Sequence, residues 1–256
     1  MQLQRSLPDL EARGLGLAAI SYDPPATLKA FADQRGITFP LLSDEGSATI
    51  RRYDILNAQA DGRTAGIPHP GTFIVDVQGR VVSRSFEAAY QERASAASLL
   101  EGRIGAAASR TETPHVVVTA TVSDGVVTPG TRFSLLIDIV PKPKMHVYSP
   151  DQKSYIPVAL AIAPNDTLRL HPAVFPPSEK YLFKPLNEEQ RVYSRPFTIV
   201  QPVTVPVNAA TRAQARTGAP LTITGTLHYQ ACDDTVCYRP ADIPLTWTVK
   251  LEPLAR

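Results

Sequence analysis

Strict alternation of apolar and polar side chains governs the C-terminal part of the chain. Leu245, Trp247, Val249 and Leu251 fall on one side of an extended segment, with Thr246, Thr248 and Lys250 on the other. Upstream, Leu221, Ile223, Leu227 and Tyr229 oppose Thr222, Thr224, Thr226 and His228. A period of two sends successive side chains to opposite faces of a strand, so each segment has one face for a core and one for water. From about residue 115 onward such segments recur with turn signals between them, and proline is plentiful at 24 residues in the chain. Strands of this kind bury their apolar faces in a sandwich or barrel. No internal repeat is evident.

The first 104 residues read differently. "LGLAAIS" is a buried strand, and "PATLKAFADQRG" a helix with Leu28, Phe31 and Ala32 on one face and Gly36 at its end. "ITFPLLSD" is a short extended segment and "EGSATIRRYDI" a second helix. "GTFIVDVQGRVVSRSFEA" holds two β-rich runs around Gln78-Gly79, a hairpin signal. A helix over about residues 90–104 closes the unit. Strands alternating with helices imply an α/β domain over 1–104, then a small, polar linker over 105–114 ("GAAASRTETP"), then an all-β domain over 115–256. At the start, Leu3, Leu7 and Leu10 recur at helical spacing before Gly14. A helix beginning at Met1 with no capping residue suggests a chain cut from something longer.

At 256 residues, 43% hydrophobic and 20% charged, the chain has ordinary globular composition. The formal net charge of +2, with Lys and Arg dispersed, argues against a nucleic-acid surface or a polybasic membrane patch. The longest apolar runs, "VVVTATV" and "FSLLIDIV", are strand-sized and far short of the roughly 18–20 residues that span a bilayer. "MQLQRSLPDL" lacks the pattern of a secretory signal.

The chemistry concentrates in "YQACDDTVCYRP", which holds the only two cysteines, Cys232 and Cys237. They flank a four-residue loop of hairpin length, and residues closing such a loop sit with Cα atoms about 4.5–5.5 Å apart. That is within reach of a disulfide, so the pair is a disulfide or a redox couple. A structural staple stays open, although closing so short a loop contributes only about 2 kcal/mol in the chain-entropy picture. A metal site would be short of ligands, because His228 is the one imidazole nearby and zinc usually takes four. No cofactor motif is present. Asp233 and Asp234 disfavour thiolate, with Arg239 to offset them. The pair is therefore expected to be attacked, as a disulfide, by a partner's low-pKa cysteine.

"YQACDDTVCYRP" resembles the N-terminal extracytoplasmic domain of the thiol:disulfide interchange protein DsbD family, over about residues 115–250. The resemblance implies an immunoglobulin-like β-sandwich that passes electrons between thioredoxin-like domains. Cys232 and Cys237 match its redox pair. In "PKPKMHVYSP", His146 and Tyr148 match an aromatic wall beside the cysteines, with His at the first of two aromatic places. In "EKYLFKPLNEEQRVY", Tyr181 and Phe183 match a capping loop, although its spacing departs from the family's, and Tyr238 follows the second cysteine. Simple core packing is an equal reading of the cap aromatics.

"GLAAISYDPPATLKAFADQRGITFPLLSD" with "GIPHPGTFIVDVQGRVV" resembles the redoxin group of the thioredoxin fold, the alkyl hydroperoxide reductase/thiol-specific antioxidant proteins. That resemblance implies that Pro70 is the cis-proline facing an active-site cysteine. The family's reactive cysteine precedes its first helix, and residues 1–231 contain no cysteine. Asp23, Asp44 and His69 offer no substitute nucleophile. The unit therefore reads as a redoxin module lacking its N-terminal cysteine segment and central strand, with unpaired sheet edges.

Three functions follow. The first is a thiol–disulfide oxidoreductase that relays electrons to thioredoxin-like or other disulfide-carrying proteins through Cys232 and Cys237. The second is a non-catalytic binding module with a structural disulfide. The third is a peroxiredoxin-type antioxidant whose reactive cysteine lies upstream. Which cysteine is attacked first is open. A working disulfide and the resemblance imply periplasm or cell envelope; the chain shows no export signal, and the cytoplasm stays open.

Overall fold

The structure, a computed structural model, describes residues 2–86, 93–95, 109–183 and 187–254. The chain divides into two units, Met1–Leu99 and Leu100–Leu254.

The first unit is mixed α/β. Helix α1 (Gln2–Glu11) ends where Gly14, at φ +73°, lets the Leu15 N–H reach the Leu10 carbonyl and the Gly14 N–H reach Glu11. This satisfies carbonyls that a helix end otherwise leaves bare. After β1 (Ala19–Ser21), helix α2 (Pro25–Arg35) starts on a proline and stops at left-handed Gly36. β2 (Leu41–Ser43) pairs parallel to β1, and α3 (Ala48–Arg52) follows. β3 (Gly71–Val75) and β4 (Val81–Phe86) form the expected antiparallel hairpin. Among the described residues the two strand pairs form separate two-stranded sheets. Leu28 is buried, as the helical pattern requires. Phe31 on the same helix is 41% exposed and lines an apolar groove of about 300 Å³ with Leu3, Ile20, Phe39 and Leu41.

Most of the helix expected over 90–104 lies outside the described residues. Arg93 and Ala94, which are described, are extended as β5 (Arg93–Ala94) and lie near β3 and β4, tertiary packing overriding local helix propensity. The expected cis bond at Pro70 is corrected: no peptide bond among the described residues is cis. An X–Pro bond prefers trans by about 0.5–1 kcal/mol unless packing selects the other form. Here the residue simply leads the extended chain into β3.

The second unit is a β-sandwich. Its first strand, β6 (Ser109–Glu112), arises inside the stretch read as linker, because its backbone pairs with β7 (Val116–Val122). After the short β8 (Val126–Val127) comes the long β9 (Thr131–Pro141). Then follow β10 (His146–Tyr148), β11 (Ala159–Ile162), β12 (Arg169–Leu170), β13 (Glu179–Phe183), β14 (Glu188–Tyr193) and β15 (Phe197–Thr204). The chain closes with β16 (Pro220–Tyr229), β17 (Ala231–Cys232) and β18 (Ala241–Leu251). One sheet runs β12-β15-β9-β7-β6 and the other β11-β16-β18-β8.

The inward faces are the ones the alternation marked. Leu221, Ile223, Leu227, Tyr229, Leu245, Trp247, Val249 and Leu251 share one buried cluster with Phe133, Leu135, Ile137 and Ile139 of β9. Gly225 on β16 is required by crowding, since a Cβ there would come within 2.7 Å of the Ala161 carbonyl oxygen and 3.3 Å of the Trp247 ring. One element departs from an all-β reading: helix α4 (Ala209–Thr217). Its Asn208 side chain accepts the Thr211 N–H at 2.9 Å while Thr211 Oγ1 accepts the Asn208 N–H at 3.2 Å, a reciprocal cap ahead of an Ala-, Arg- and Gln-containing turn.

Candidate functional site

A third, smaller sheet, β13-β14-β10-β17, carries the cysteines. β17 lies antiparallel to β10 with Cys232 opposite His146 and Ala231 opposite Val147. β10 pairs on its other side with β14, placing Tyr148 opposite Val192. Cys232 and Cys237 are joined as a disulfide with Cα atoms 4.1 Å apart, slightly closer than a hairpin mouth predicts. The two sulfurs differ in environment: Cys232 is 1% exposed, whereas Cys237 is an exposed residue.

Asp233 builds the loop that brings them together. Its Oδ1 accepts the N–H groups of Thr235 and Val236, both at 2.7 Å, and the Thr235 hydroxyl at 2.8 Å. Its Oδ2 accepts the Tyr238 hydroxyl at 2.9 Å. The Thr235 and Val236 backbone donors hold this carboxyl far below the usual carboxylate range. The same Asp that discourages thiolate is thus the one that shapes the turn. Tyr238 is tied back through its N–H to the Ala231 carbonyl at 2.9 Å, and its ring packs against His115 at 4.2 Å, tilted by 32°.

Tyr148 is the residue that touches both sulfurs. Its hydroxyl lies 3.3 Å from Cys232 Sγ and 3.4 Å from Cys237 Sγ, and donates weakly to Gln190 Oε1 at 3.5 Å. A disulfide sulfur has no proton, so any hydrogen bond here is donated by the phenol, whose single proton the two sulfurs and Gln190 share. Burial pushes its pKa well up, and the phenol keeps its proton. The ring is fixed by stacking on Tyr155 at 4.6 Å. Tyr181 reaches in from β13: its ring lies 4.6 Å from His146 and its hydroxyl donates to Asp234 Oδ1 at 2.5 Å. That bond to a carboxylate, with burial, raises the Tyr181 phenol to about 12.

The structure therefore gathers Cys232, Cys237, His146, Tyr148, Tyr181 and Tyr238 at one place. Phe183 is half-buried two residues beyond Tyr181 on the same strand face, and the ring pairs around the disulfide described above do not include it. Pro70, Asp23, Asp44 and His69 belong to the first unit. Asp44 serves there as a helix-end acceptor for the Thr49 and Ile50 N–H groups, at 3.0 and 2.8 Å. Sequence reasoning missed His115, Tyr155 and Gln190. No local motif marks them, because strand pairing and loop packing bring them in from distant positions.

Removing the Tyr148 hydroxyl tests its part. Tyr148→Phe should slow reduction of the disulfide by a small dithiol about ten- to a hundredfold, the worth of one hydrogen bond to a developing sulfur charge, roughly 1.5–3 kcal/mol. Stopped-flow reduction followed by thiol labelling reads this. An unchanged rate would reduce the hydroxyl to packing.

A solvent-facing disulfide whose inner sulfur is covered by aromatic side chains, on the small sheet of a β-sandwich, defines the class: a disulfide-bearing sandwich domain attached to a mixed α/β unit. Residues 116–247 match the family described as thiol:disulfide interchange protein DsbD, N-terminal, and the chain belongs to that family. Residues 1–84 match the AhpC/TSA family. Alkyl hydroperoxide reductase E of Mycobacterium bovis is 44% identical over 80 residues, covering 30% of this chain and 49% of that protein, and its Mycobacterium tuberculosis counterpart gives the same figures. The chain thus spans about half the length of the curated relatives it matches. Among solved structures, the N-terminal periplasmic domain of ScsB from Proteus mirabilis is 13% identical, with a TM-score of 0.40, covering 56% of this chain and 51% of that one. The reduced N-terminal domain of DsbD from Neisseria meningitidis is 17% identical, with a TM-score of 0.32, covering 46% and 78%. The two matched domains indicate a thiol–disulfide redox function. No helix among the described residues is long and apolar enough to cross a membrane.

Proposed function

We propose that the sandwich is an electron relay that exchanges its Cys232–Cys237 disulfide with dithiols on thioredoxin-like proteins. The observation that carries this reading is the asymmetry of the pair: an exposed Cys237 bonded to a buried Cys232 under the Tyr148 hydroxyl. A staple has no use for one open sulfur and one cushioned sulfur; an exchange reaction does.

A partner thiolate attacks Cys237 Sγ, and the S–S bond breaks with its electron pair leaving on Cys232 Sγ. The partner's second thiol, once deprotonated, attacks its own first sulfur and expels Cys237 as thiolate. Two protons are taken up from solvent to balance the two new sulfur charges. Two electrons have passed from the partner, now a disulfide, to this pair, and the reverse sequence carries them onward. Tyr148 stabilises the inner sulfur as charge forms on it. The first unit holds no cysteine, so every sulfur nucleophile in this chain belongs to the sandwich. Membership of the DsbD N-terminal family supports thioredoxin-like partners and an extracytoplasmic site of action.

The reduction potential of the pair tests the reading. Equilibration in graded thiol buffers, followed by alkylation and mass counting, should give a value well above about −300 mV, with full reduction by a thioredoxin-like dithiol protein. A lower value with no such reduction would make the disulfide a staple and the sandwich a binding module.

A further inference from the structure

His146 holds the one polar atom of the site for which the exchange reading has no use. The residue is 3% exposed, and its Nε2 is buried with no hydrogen-bond partner. An orphaned buried nitrogen is costly, and native structures keep few of them. Its place is specific. His146 stands directly across the β10–β17 pair from Cys232, and opposed residues of an antiparallel pair share a face. The groups that face it are Tyr148 from its own strand, with rings 5.7 Å apart, Tyr181 from β13, Cys232 from β17, and Asp233 and Asp234 from the loop.

The leaving step needs something these neighbours do not give. When Cys232 departs with the S–S electron pair, a negative charge appears at a buried sulfur beside two aspartates. Tyr148 can donate a hydrogen bond to it but keeps its own proton. Tyr181 is committed to Asp234. The imidazole alone among these groups has an ordinary titration range close to neutrality.

We propose that His146 is the proton-holding group of this disulfide: as Cys232 leaves as thiolate, the imidazole takes a proton from solvent and remains beside the sulfur as imidazolium. The inference rests on the exchange reading and names the residue that completes its first step. On re-oxidation the Cys232 thiolate attacks Cys237 Sγ in the mixed disulfide, the partner's sulfur leaves as thiolate with the electron pair of its bond to Cys237, the Cys232–Cys237 bond re-forms, and the proton returns to solvent. In the oxidised state burial holds the imidazole's pKa down, against the opposite pull of Asp234 and Asp233, so the ring is neutral before attack. Reduction places a new anion opposite it, which reverses the balance.

The test is a titration of the His146 ring by NMR in the full chain, once oxidised and once chemically reduced. On reduction its proton affinity should rise at least about tenfold, as an adjacent opposite charge requires. In the reduced protein the Cys232 Cβ resonance should titrate together with the ring, and in His146→Phe it should titrate at or above the ordinary thiol range. A ring that titrates at the same pH in both states overturns the proposal, and this comparison in the native chain decides the matter even if His146→Phe fails to fold. The chemical reductant separates this test from the relay itself. Failure of a thioredoxin-like protein to reduce the pair would overturn the relay while leaving a state-dependent His146 titration intact.

Discussion

Cys232→Ala should give a protein that captures its partner, and Cys237→Ala one that does not. With Cys232 removed, the exposed Cys237 thiolate can attack a thioredoxin-like protein stripped of its resolving cysteine and supplied as its mixed disulfide with an aromatic thiol; the aromatic thiolate leaves with the electron pair, and the protein–protein disulfide should accumulate. With Cys237 removed, the remaining thiol is the 1%-exposed Cys232, beneath Tyr148. It can react only when the small sheet opens, so the mixed disulfide should form slower by on the order of a hundredfold. Non-reducing gel electrophoresis with mass identification distinguishes the two. Equal capture by both variants would mean that the asymmetry of the pair has no role in exchange, and the order of attack proposed above would have to be abandoned.

The second large effect lies in the core. Trp247→Ala should cost about 3–5 kcal/mol, the range for removing a large buried aromatic ring. Trp247 is fully buried in the cluster that joins the two main sheets, and Gly225 is kept small to let its ring approach. Neighbouring strands are pinned by long antiparallel registers, β16 to β18 over ten residue pairs from Pro220↔Lys250 to Tyr229↔Ala241, so the cavity cannot collapse cheaply. The transition of the sandwich should fall by on the order of 10 °C. Chemical denaturation followed by circular dichroism measures the loss. A cost below about 1 kcal/mol would mean that the core repacks around the gap.

How much of this was readable beforehand depends on the range of the interaction. The faces of β16 and β18 were legible because a period of two is a local property: Leu245, Trp247, Val249 and Leu251 are all buried, and Thr246, Thr248 and Lys250 all exposed. The hairpin around Gln78-Gly79 and the stop at Gly36 were legible for the same reason, since a left-handed residue is a local demand that glycine meets. Helix α4 escaped notice because its stretch carries little apolar periodicity, and its start is fixed by the Asn208–Thr211 cap. Pro70 was read as cis from its motif, and the isomer of an X–Pro bond is decided by surrounding contacts that a motif does not contain.

The sequence by itself determined that the chain joins an α/β unit to a strand-rich one, and that its sulfur chemistry is confined to Cys232 and Cys237, because both follow from residue identity and spacing. Only the tertiary structure decided that the two sulfurs are unequal. The burial of Cys232 arises from β17 pairing with β10 and from its packing with Tyr148, Val192 and Tyr181, a cluster of which the exposed Cys237 is not a member. The same pairing sets His146 opposite Cys232. Those neighbours come from segments far apart in the chain, and burial is a property of what surrounds a residue, which spacing along the chain does not encode.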